Sequence, residues 1–289
     1  MSADKFVFRS RMRALTDHAV TALSISATVI VVTPLIAIFI YLLIKGGSSL
    51  NLAFFTKLPV PVGESGGGMA NAIVGSGVLL AIASAIGVPM GIGGGIFLAE
   101  FGRGTRFANA VRFTADVLNG VPSIVMGLAI YSLVVVPQRR FSALSGGIAL
   151  GIMMIPTVCR TTEEMLLMVP HAVREAALGL GVPNWRSVLS ITVKTASPGI
   201  ITGCMLAFAR VAGETAPLLF TAFGNPFMTT SLNQPIEALP LQIFVYADSP
   251  YDDWHRLAWA GALVLILLIV LAVSLVRYVT SRGVLKGAS

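Results

Sequence analysis

The sequence is poor in charged residues and in the residues that build disulfide and metal sites. Only 11% of its 289 residues are charged, and it has two cysteines and three histidines. A soluble domain of this length carries roughly a quarter charged residues. Two cysteines are too few for a disulfide framework, and no histidine stands at metal-ligand spacing from another histidine or cysteine. These absences argue against an ordinary soluble domain, a disulfide-stabilised one and a metal site.

Long apolar runs are what the sequence has instead. Hydrophobic residues make up 55% of the chain, and the mean hydropathy is +0.85. A helix that crosses a bilayer needs about 20 predominantly apolar residues. Six segments qualify: residues 19–44, 69–99, 117–137, 141–159, 195–223 and 257–276. The sequence therefore predicts an all-α membrane protein with six transmembrane helices. Its glycine-rich second segment indicates close helix packing, a break or tilt, or a part that lies outside the membrane core.

The distribution of basic residues predicts the orientation. If both termini are cytoplasmic, the inner segments hold thirteen of the twenty Lys and Arg, and the outer segments hold five. Arg160 and Arg210 are left in or near the membrane. Because cytoplasmic loops are enriched in Lys and Arg, we expect this N-in, C-in topology. The same bias explains the net charge of +7 without a nucleic-acid partner.

The fifth apolar segment contains a charged pair. Arg210 and Glu214 are four residues apart, which is one turn on the same face of a helix. An arginine at the centre of a membrane costs at least about 2.5–3.5 kcal/mol on insertion scales, and a glutamate at this spacing offsets part of that cost. The pair either lines a polar path, to which Thr215 adds a hydroxyl, or only locks helix packing.

Weaker candidates for the polar path lie elsewhere. Arg160, with Glu163 and Glu164, falls at the inner end of the fourth segment, where interfacial anchoring is an equally good interpretation. Asn119 and Ser123 lie at the start of the third segment and are the weakest candidates for lining a pore.

The longest predicted cytoplasmic connection covers residues 160–194. Pro170 is well placed to open a short helix, residues 171–180 are mostly good helix formers, and Gly181 with Pro183 ends the helix. The sequence predicts a short helix across the inner face. Spacing alone leaves open whether it is an ordinary amphipathic surface helix or an element that docks on a partner.

This short helix resembles a known motif. The EAA motif of ABC importer permeases has a Glu-Ala-Ala core and a glycine six residues after the glutamate. This chain matches both parts, with Glu175, Ala176, Ala177 and Gly181. The end of the motif differs, since Val193-Lys194 stands where Leu-Pro is usual, which puts a local helix break in doubt. The resemblance implies the type I importer permease fold and a coupling helix on a separate ATPase. The chain has no GxxxxGK[ST] phosphate loop, so it is expected to be no enzyme and to hold no cofactor, with ATP and Mg bound by partner subunits.

Four other segments narrow the resemblance. These four segments of the chain resemble PstA-type permeases of high-affinity phosphate importers. They are GGGMANAIVGS (66–76), NGVPSIVMGLAIY (119–131), FARVAGETAPLLF (208–220) and LPLQIFVYA (239–247). The resemblance runs from roughly residue 50 to 280. The expected organisation is a cytoplasmic tail (1–18), a first transmembrane helix (19–44), an outer loop (45–68), a permease domain (69–280) with coupling loop 160–194 and outer loop 224–256, and a cytoplasmic tail (281–289).

The resemblance also implies a function. The chain would form half of a two-fold pore for inorganic phosphate in the inner membrane, in contact with lipid. Its partners would be a homologous PstC-type permease, two ATPase subunits and an extracytoplasmic phosphate-binding protein. Arg210 would contact the anion, and Glu214 would orient Arg210. Two alternatives stay open: a permease for sulfate or molybdate, and a secondary transporter that uses the Arg210–Glu214 pair as an ion relay.

Overall fold

The computed structural model describes residues 3–64 and 66–286, and these form thirteen α-helices. They are α1 (Ala3–Gly47), α2 (Leu52–Thr56), α3 (Ala70–Ile96), α4 (Arg106–Gly120), α5 (Ser123–Ile130), α6 (Val136–Gln138), α7 (Ala143–Leu167), α8 (His171–Gly179), α9 (Asn184–Ser187), α10 (Val193–Ala212), α11 (Ala216–Thr221), α12 (Leu239–Ala247) and α13 (Asp252–Lys286). Three π-helical segments, Phe97–Phe101, Tyr131–Val135 and Val188–Thr192, extend or join them. Extended pairing in the described residues amounts to one isolated bridge, between Phe223 and Ile236.

Five helical segments within the described residues are long and apolar enough to cross a membrane. They correspond to α1, α3, α7, α10 and α13. A sixth crossing exists if the helices of residues 106–120 and 123–138 count as one span. The chain bends by 108° between these two helices. The span expected over 117–137 is therefore not one continuous helix, since α4 ends at Gly120 and α5 begins at Ser123. The bend is caused by Pro122, because the residue before a proline avoids the helical conformation. Val121, the residue before Pro122, is extended.

The tightest helix packing joins α3 to α7 along a row of glycines. A Cβ atom on Gly87, Gly91 or Gly95 would lie within 2.8 Å of a side-chain Cβ on α7. Glycines four residues apart share one face of a helix and allow backbones to approach closely. The glycine-rich second segment thus produces the close packing that its composition favours.

The first helix is longer than expected and lies at the periphery. It begins by Ala3 instead of residue 19. Its candidate membrane span is Thr16–Gly47, and the apolar side chains of that part are mostly exposed. Its C-terminal end packs on α13, where the Tyr41 and Trp259 rings are 5.1 Å apart. The backbone at Gly46 approaches so closely that a Cβ there would lie 2.6 Å from the Trp259 carbonyl oxygen. The exposed apolar surface of α1 suits contact with lipid.

Candidate functional site

Arg210 and Glu214 lie at a helix break. The helix α10 ends at Ala212, Gly213 follows it, and α11 begins at Ala216. The pair was expected inside a continuous helix, so this part of the expectation is wrong. The Arg210 Nε is 4.0 Å from the Glu214 Oε1, and the Arg210 side chain is 49% exposed. At the distance limit of an ion pair, this contact holds the guanidinium loosely.

The position of Arg210 relative to α7 follows from the pairing of α10 with α7. The two helices are antiparallel, with Gly199 against Met165 and Gly203 against Thr161. Continuing this register puts Arg210 beside the middle of α7, which has 25 residues and is therefore about 37 Å long at a rise of about 1.5 Å per residue. Arg210 is thus level with the middle of α7, although it lies near the end of α10.

The helix break is packed against two other elements. The Thr215 hydroxyl lies 3.4 Å from the Pro240 carbonyl oxygen of α12. Glu214 lines a narrow cleft together with Ser76 of α3 and Leu150 of α7. The break therefore lies where α3, α7 and α12 meet, and Thr215 is held at the start of α12.

A polar seam joins α4 to α7. We define it by six side chains in three pairs: Asn119 with Thr157 at 3.0 Å, Asp116 with Arg160 at 3.1 Å, and Arg112 with Glu163 at 2.6 Å. Residues three and four apart share one face of a helix, so each helix presents one polar stripe to the other. The structure thus places Asn119 and Arg160 in the same seam. Ser123 lies at the first position of α5 and is half-buried.

Glu163 is the centre of this seam. Its side chain is only 3% exposed and is bonded by two arginines, since Arg112 donates to Oε1 and Arg160 donates to Oε2 at 2.9 Å. Arg112 also donates to the Leu98 carbonyl oxygen at 3.0 Å. Glu164 is exposed. Sequence reasoning grouped Arg160 with Glu163 but missed Arg112, although its spacing from Asp116 and Asn119 on α4 was a signal.

The EAA-like segment is the helix α8. It begins after Pro170 and is followed by Gly181, whose φ of +77° is a conformation that glycine adopts without strain. Glu175, Ala176 and Gly181 are exposed, whereas Ala177 is buried and packs inward. No break occurs near residue 193, because the π-helical segment Val188–Thr192 runs directly into α10.

A buried carboxyl group lies outside the spanning segments. Glu237 precedes α12 and accepts a hydrogen bond from the Ala238 N–H at 3.2 Å. It lines a cavity of about 480 Å³ together with Gln242, Tyr246 and Trp254. Burial raises the pKa of Glu237 to about 7, an effect that backbone hydrogen bonds only partly oppose.

Comparisons with known proteins define the class. The family model described as "Binding-protein-dependent transport system inner membrane component" matches residues 91–283. The chain therefore belongs to this family of inner-membrane permeases of ABC importers. Among solved structures, the inward-facing MetNI methionine ABC transporter has a TM-score of 0.57 at 18% identity, over 75% of this chain and 96% of that one. An amino acid ABC transporter solved with histidines has a TM-score of 0.55, also at 18% identity, over 74% of this chain and 92% of that one. These structures show the type I permease fold.

Sequence relatives narrow the family further. The "Phosphate transport system permease protein PstA" of Yersinia pestis is 48% identical over 238 residues, or 82% of this chain and 81% of that protein. The protein of that name from Xylella fastidiosa is 47% identical, over 80% of each. PstA 1 of Mycobacterium tuberculosis is 37% identical, over 75% of this chain and 72% of that protein. Within the permease family, the chain is thus related to the PstA proteins, which are transport subunits and not enzymes.

Proposed function

We propose that the chain is the permease subunit of an ATP-driven importer of inorganic phosphate. The observation that carries the proposal is Arg210, a loosely paired guanidinium that is 49% exposed and lies level with the middle of α7. The names of its PstA relatives support phosphate as the substrate. A planar guanidinium makes bidentate hydrogen bonds to phosphate oxygens.

The close carboxylates of Arg112 and Arg160 distinguish these two arginines of the seam from Arg210. Arg112 is bonded to Glu163 at 2.6 Å, and Arg160 lies 2.9 and 3.1 Å from two carboxylates. The guanidinium of Arg210 is 4.0 Å from its nearest carboxylate. A charge that is already closely neutralised has less to offer an anion, so Arg210 is the substrate-contacting residue. Glu214 orients it, and Thr215 lies beside the same path. Arg160, with Asn119, belongs to the seam that fixes the wall of the path, and Ser123 is the weakest candidate.

Membership of the permease family supports the assembly proposed around the chain. A PstC-type permease would complete the pore, two ATPase subunits would bind ATP and Mg, and an extracytoplasmic phosphate-binding protein would deliver the substrate. The exposed Glu175, Ala176 and Gly181 of the α8 segment give the ATPase a small-residue surface with one charge. Ala177 is buried and packs α8 against the rest of the protein. The proposed orientation is N-in and C-in, because the segments that it assigns to the cytoplasm carry most of the Lys and Arg.

The test is phosphate uptake by Arg210→Gln, normalised to the amount of assembled complex. Hydrogen bonds to charged groups contribute about 1.5–3 kcal/mol, so we expect uptake to fall about tenfold or more. Arg210→Lys should recover part of it, because a point charge does not reproduce the bidentate contact. The control is Arg140→Gln, which removes an exposed arginine far along the chain from the helix break. Undiminished uptake by assembled Arg210→Gln would show that the pair only packs.

Two further measurements address the alternatives. If sulfate or molybdate, and not phosphate, is imported by the wild-type complex, the substrate assignment is wrong while the permease assignment stands. If a complex with a catalytically inactive ATPase still imports phosphate at the normal rate, the chain acts as a secondary transporter. We expect uptake to stop in that complex.

A further inference from the structure

One buried arginine of α8 connects this helix to two spanning helices. The Arg174 Nη2 donates to the Glu100 Oε1 at 2.7 Å and to the Leu166 carbonyl oxygen at 2.6 Å. Glu100 follows α3 and Leu166 is in the last turn of α7. The side chains of Arg174 and Glu100 are only 12% and 8% exposed. A single guanidinium group therefore ties α8 to the ends of both helices.

The segment that receives Arg174 has an unusual backbone. Phe97–Phe101 is a π-helical turn at the end of α3. Such turns are rare in proteins, and those that occur are often found at functional sites. Arginines also bond two of its carbonyl groups, since Arg103 donates to Ala99 at 2.6 Å and Arg112 donates to Leu98 at 3.0 Å. The turn is thus where α8, α4 and α3 are joined by hydrogen bonds from arginines.

Two nitrogen atoms of the Arg174 guanidinium are not used in hydrogen bonds to the described residues. Its Nε and Nη1 are buried and have no hydrogen-bond partner among the described residues. A buried donor without an acceptor costs about 1–3 kcal/mol. Val173 and Ala177 already attach α8 to the core by apolar packing, so a buried charge is not needed merely to hold this helix in place. Apolar packing has no preferred direction, whereas the Arg174 contacts fix the orientation of α8 relative to α3 and α7.

We infer that Arg174 and Glu100 form a joint through which movement of α8 is transmitted to the inner ends of α3 and α7. The inference rests on the proposed function, because it assigns α8 the contact with the ATPase. Arg174 is a positioning residue and does not touch the substrate. With the joint intact, α8 and the π-helical turn move as one body. Without it, α8 still docks and follows the ATPase, but the spanning helices no longer follow α8.

The first test measures coupling in the assembled, reconstituted complex. We expect Arg174→Gln and Glu100→Gln each to leave assembly and basal ATP hydrolysis near wild type. Stimulation of hydrolysis by the loaded phosphate-binding protein should fall about fivefold or more, which is the lower end of usual coupling factors. Arg174→Lys should retain part of the stimulation. Arg103→Gln is the matched control, because Arg103 bonds the same turn but is not bonded to α8. Normal stimulation in both Gln variants would overturn the inference.

The second test needs no transport. Spin labels on Leu180, after α8, and on Met90 of α3 occupy positions that are 85% and 59% exposed. In the wild-type complex we expect one narrow distance distribution that is the same with and without ATP. Arg174→Gln should broaden it or make it depend on ATP. An unchanged distribution would refute the joint, whereas failure of the wild-type complex to import phosphate would refute only the proposed function.

Discussion

Replacing Gly91 by alanine tests the packing of α3 on α7 directly. The added Cβ would lie 2.6 Å from the Val158 Cβ, 2.7 Å from its Cγ1 and 3.1 Å from the Ile155 carbonyl oxygen. Ordinary contact begins near 3.4 Å, so the helices would have to separate by roughly 1 Å. Overpacking of this kind typically costs about 1–3 kcal/mol.

Gly93 provides the control for helix propensity. Alanine is more favourable than glycine in a helix interior by about 1 kcal/mol, and this gain hides part of the cost at Gly91. Gly93 is two residues away on the same helix, and nothing lies within 4 Å of a Cβ placed there. Gly93→Ala therefore keeps the gain without the clash. The difference between the two variants isolates the clash, at about 1–3 kcal/mol.

The assay is the melting temperature of the assembled complex in detergent. A change of 1 kcal/mol shifts the midpoint of a chain of 150–250 residues by roughly 2–4 °C. This chain is longer, at 289 residues, so the low end of that shift applies, and Gly91→Ala should melt about 2–6 °C below Gly93→Ala. Equal melting temperatures, or a higher one for Gly91→Ala, would refute the close approach of α3 and α7.

Three other experiments test other parts of the structure. Cysteines at the exposed positions Asn233 and Leu180, each in a cysteine-free background, should react with an impermeant reagent from outside at 233 only; reaction at 180 alone would reverse the proposed orientation. Glu163→Gln leaves two arginines without their shared carboxylate and should lower the melting temperature by several degrees more than Glu164→Gln, its exposed neighbour; equal effects would show that the seam adds little. Glu237→Gln should remove a pH dependence: the pKa near 7 in the folded state, against an ordinary 4.5, means that wild-type stability falls as pH rises from about 4.5 to 7, by about 3 kcal/mol in total. The variant should thus melt above wild type at pH 8 and close to it at pH 5; a constant difference between pH 5 and pH 8 would contradict the buried state of this carboxyl group.

The helices of this protein could be predicted because the bilayer leaves few choices. A backbone in lipid must satisfy its own hydrogen bonds, so a long apolar run becomes a helix. Composition also indicated the close packing of the glycine-rich second segment. Hydropathy did not predict the bend at Pro122, because residues 117–137 contain no charged residue and form one apolar segment. A stricter use of the rule for residues before proline would have placed it.

The charged groups were harder to predict, because their partners are distant in sequence. Arg112 and Glu163 are 51 residues apart, and Glu100 and Arg174 are 74 apart. The spacing along one helix shows which residues share a face but not which helix that face meets. For Arg210 and Glu214 the prediction of an ion pair was right, but the prediction of a continuous helix was wrong. Gly213, between them, is the kind of residue at which a helix ends.

The polar groups of α7 explain how one helix serves several contacts. Its glycine and small-residue face packs on α3, whereas Thr157, Arg160 and Glu163 form a stripe that pairs with α4. The Leu166 carbonyl oxygen, one turn further on, accepts from Arg174 of α8. These directed polar contacts of α7 thus lie in the half of the helix that is nearer α8, from Thr157 to Leu166. If Arg174 passes movement of α8 to α7, that movement reaches the middle of α7, which is level with Arg210 near the end of α10.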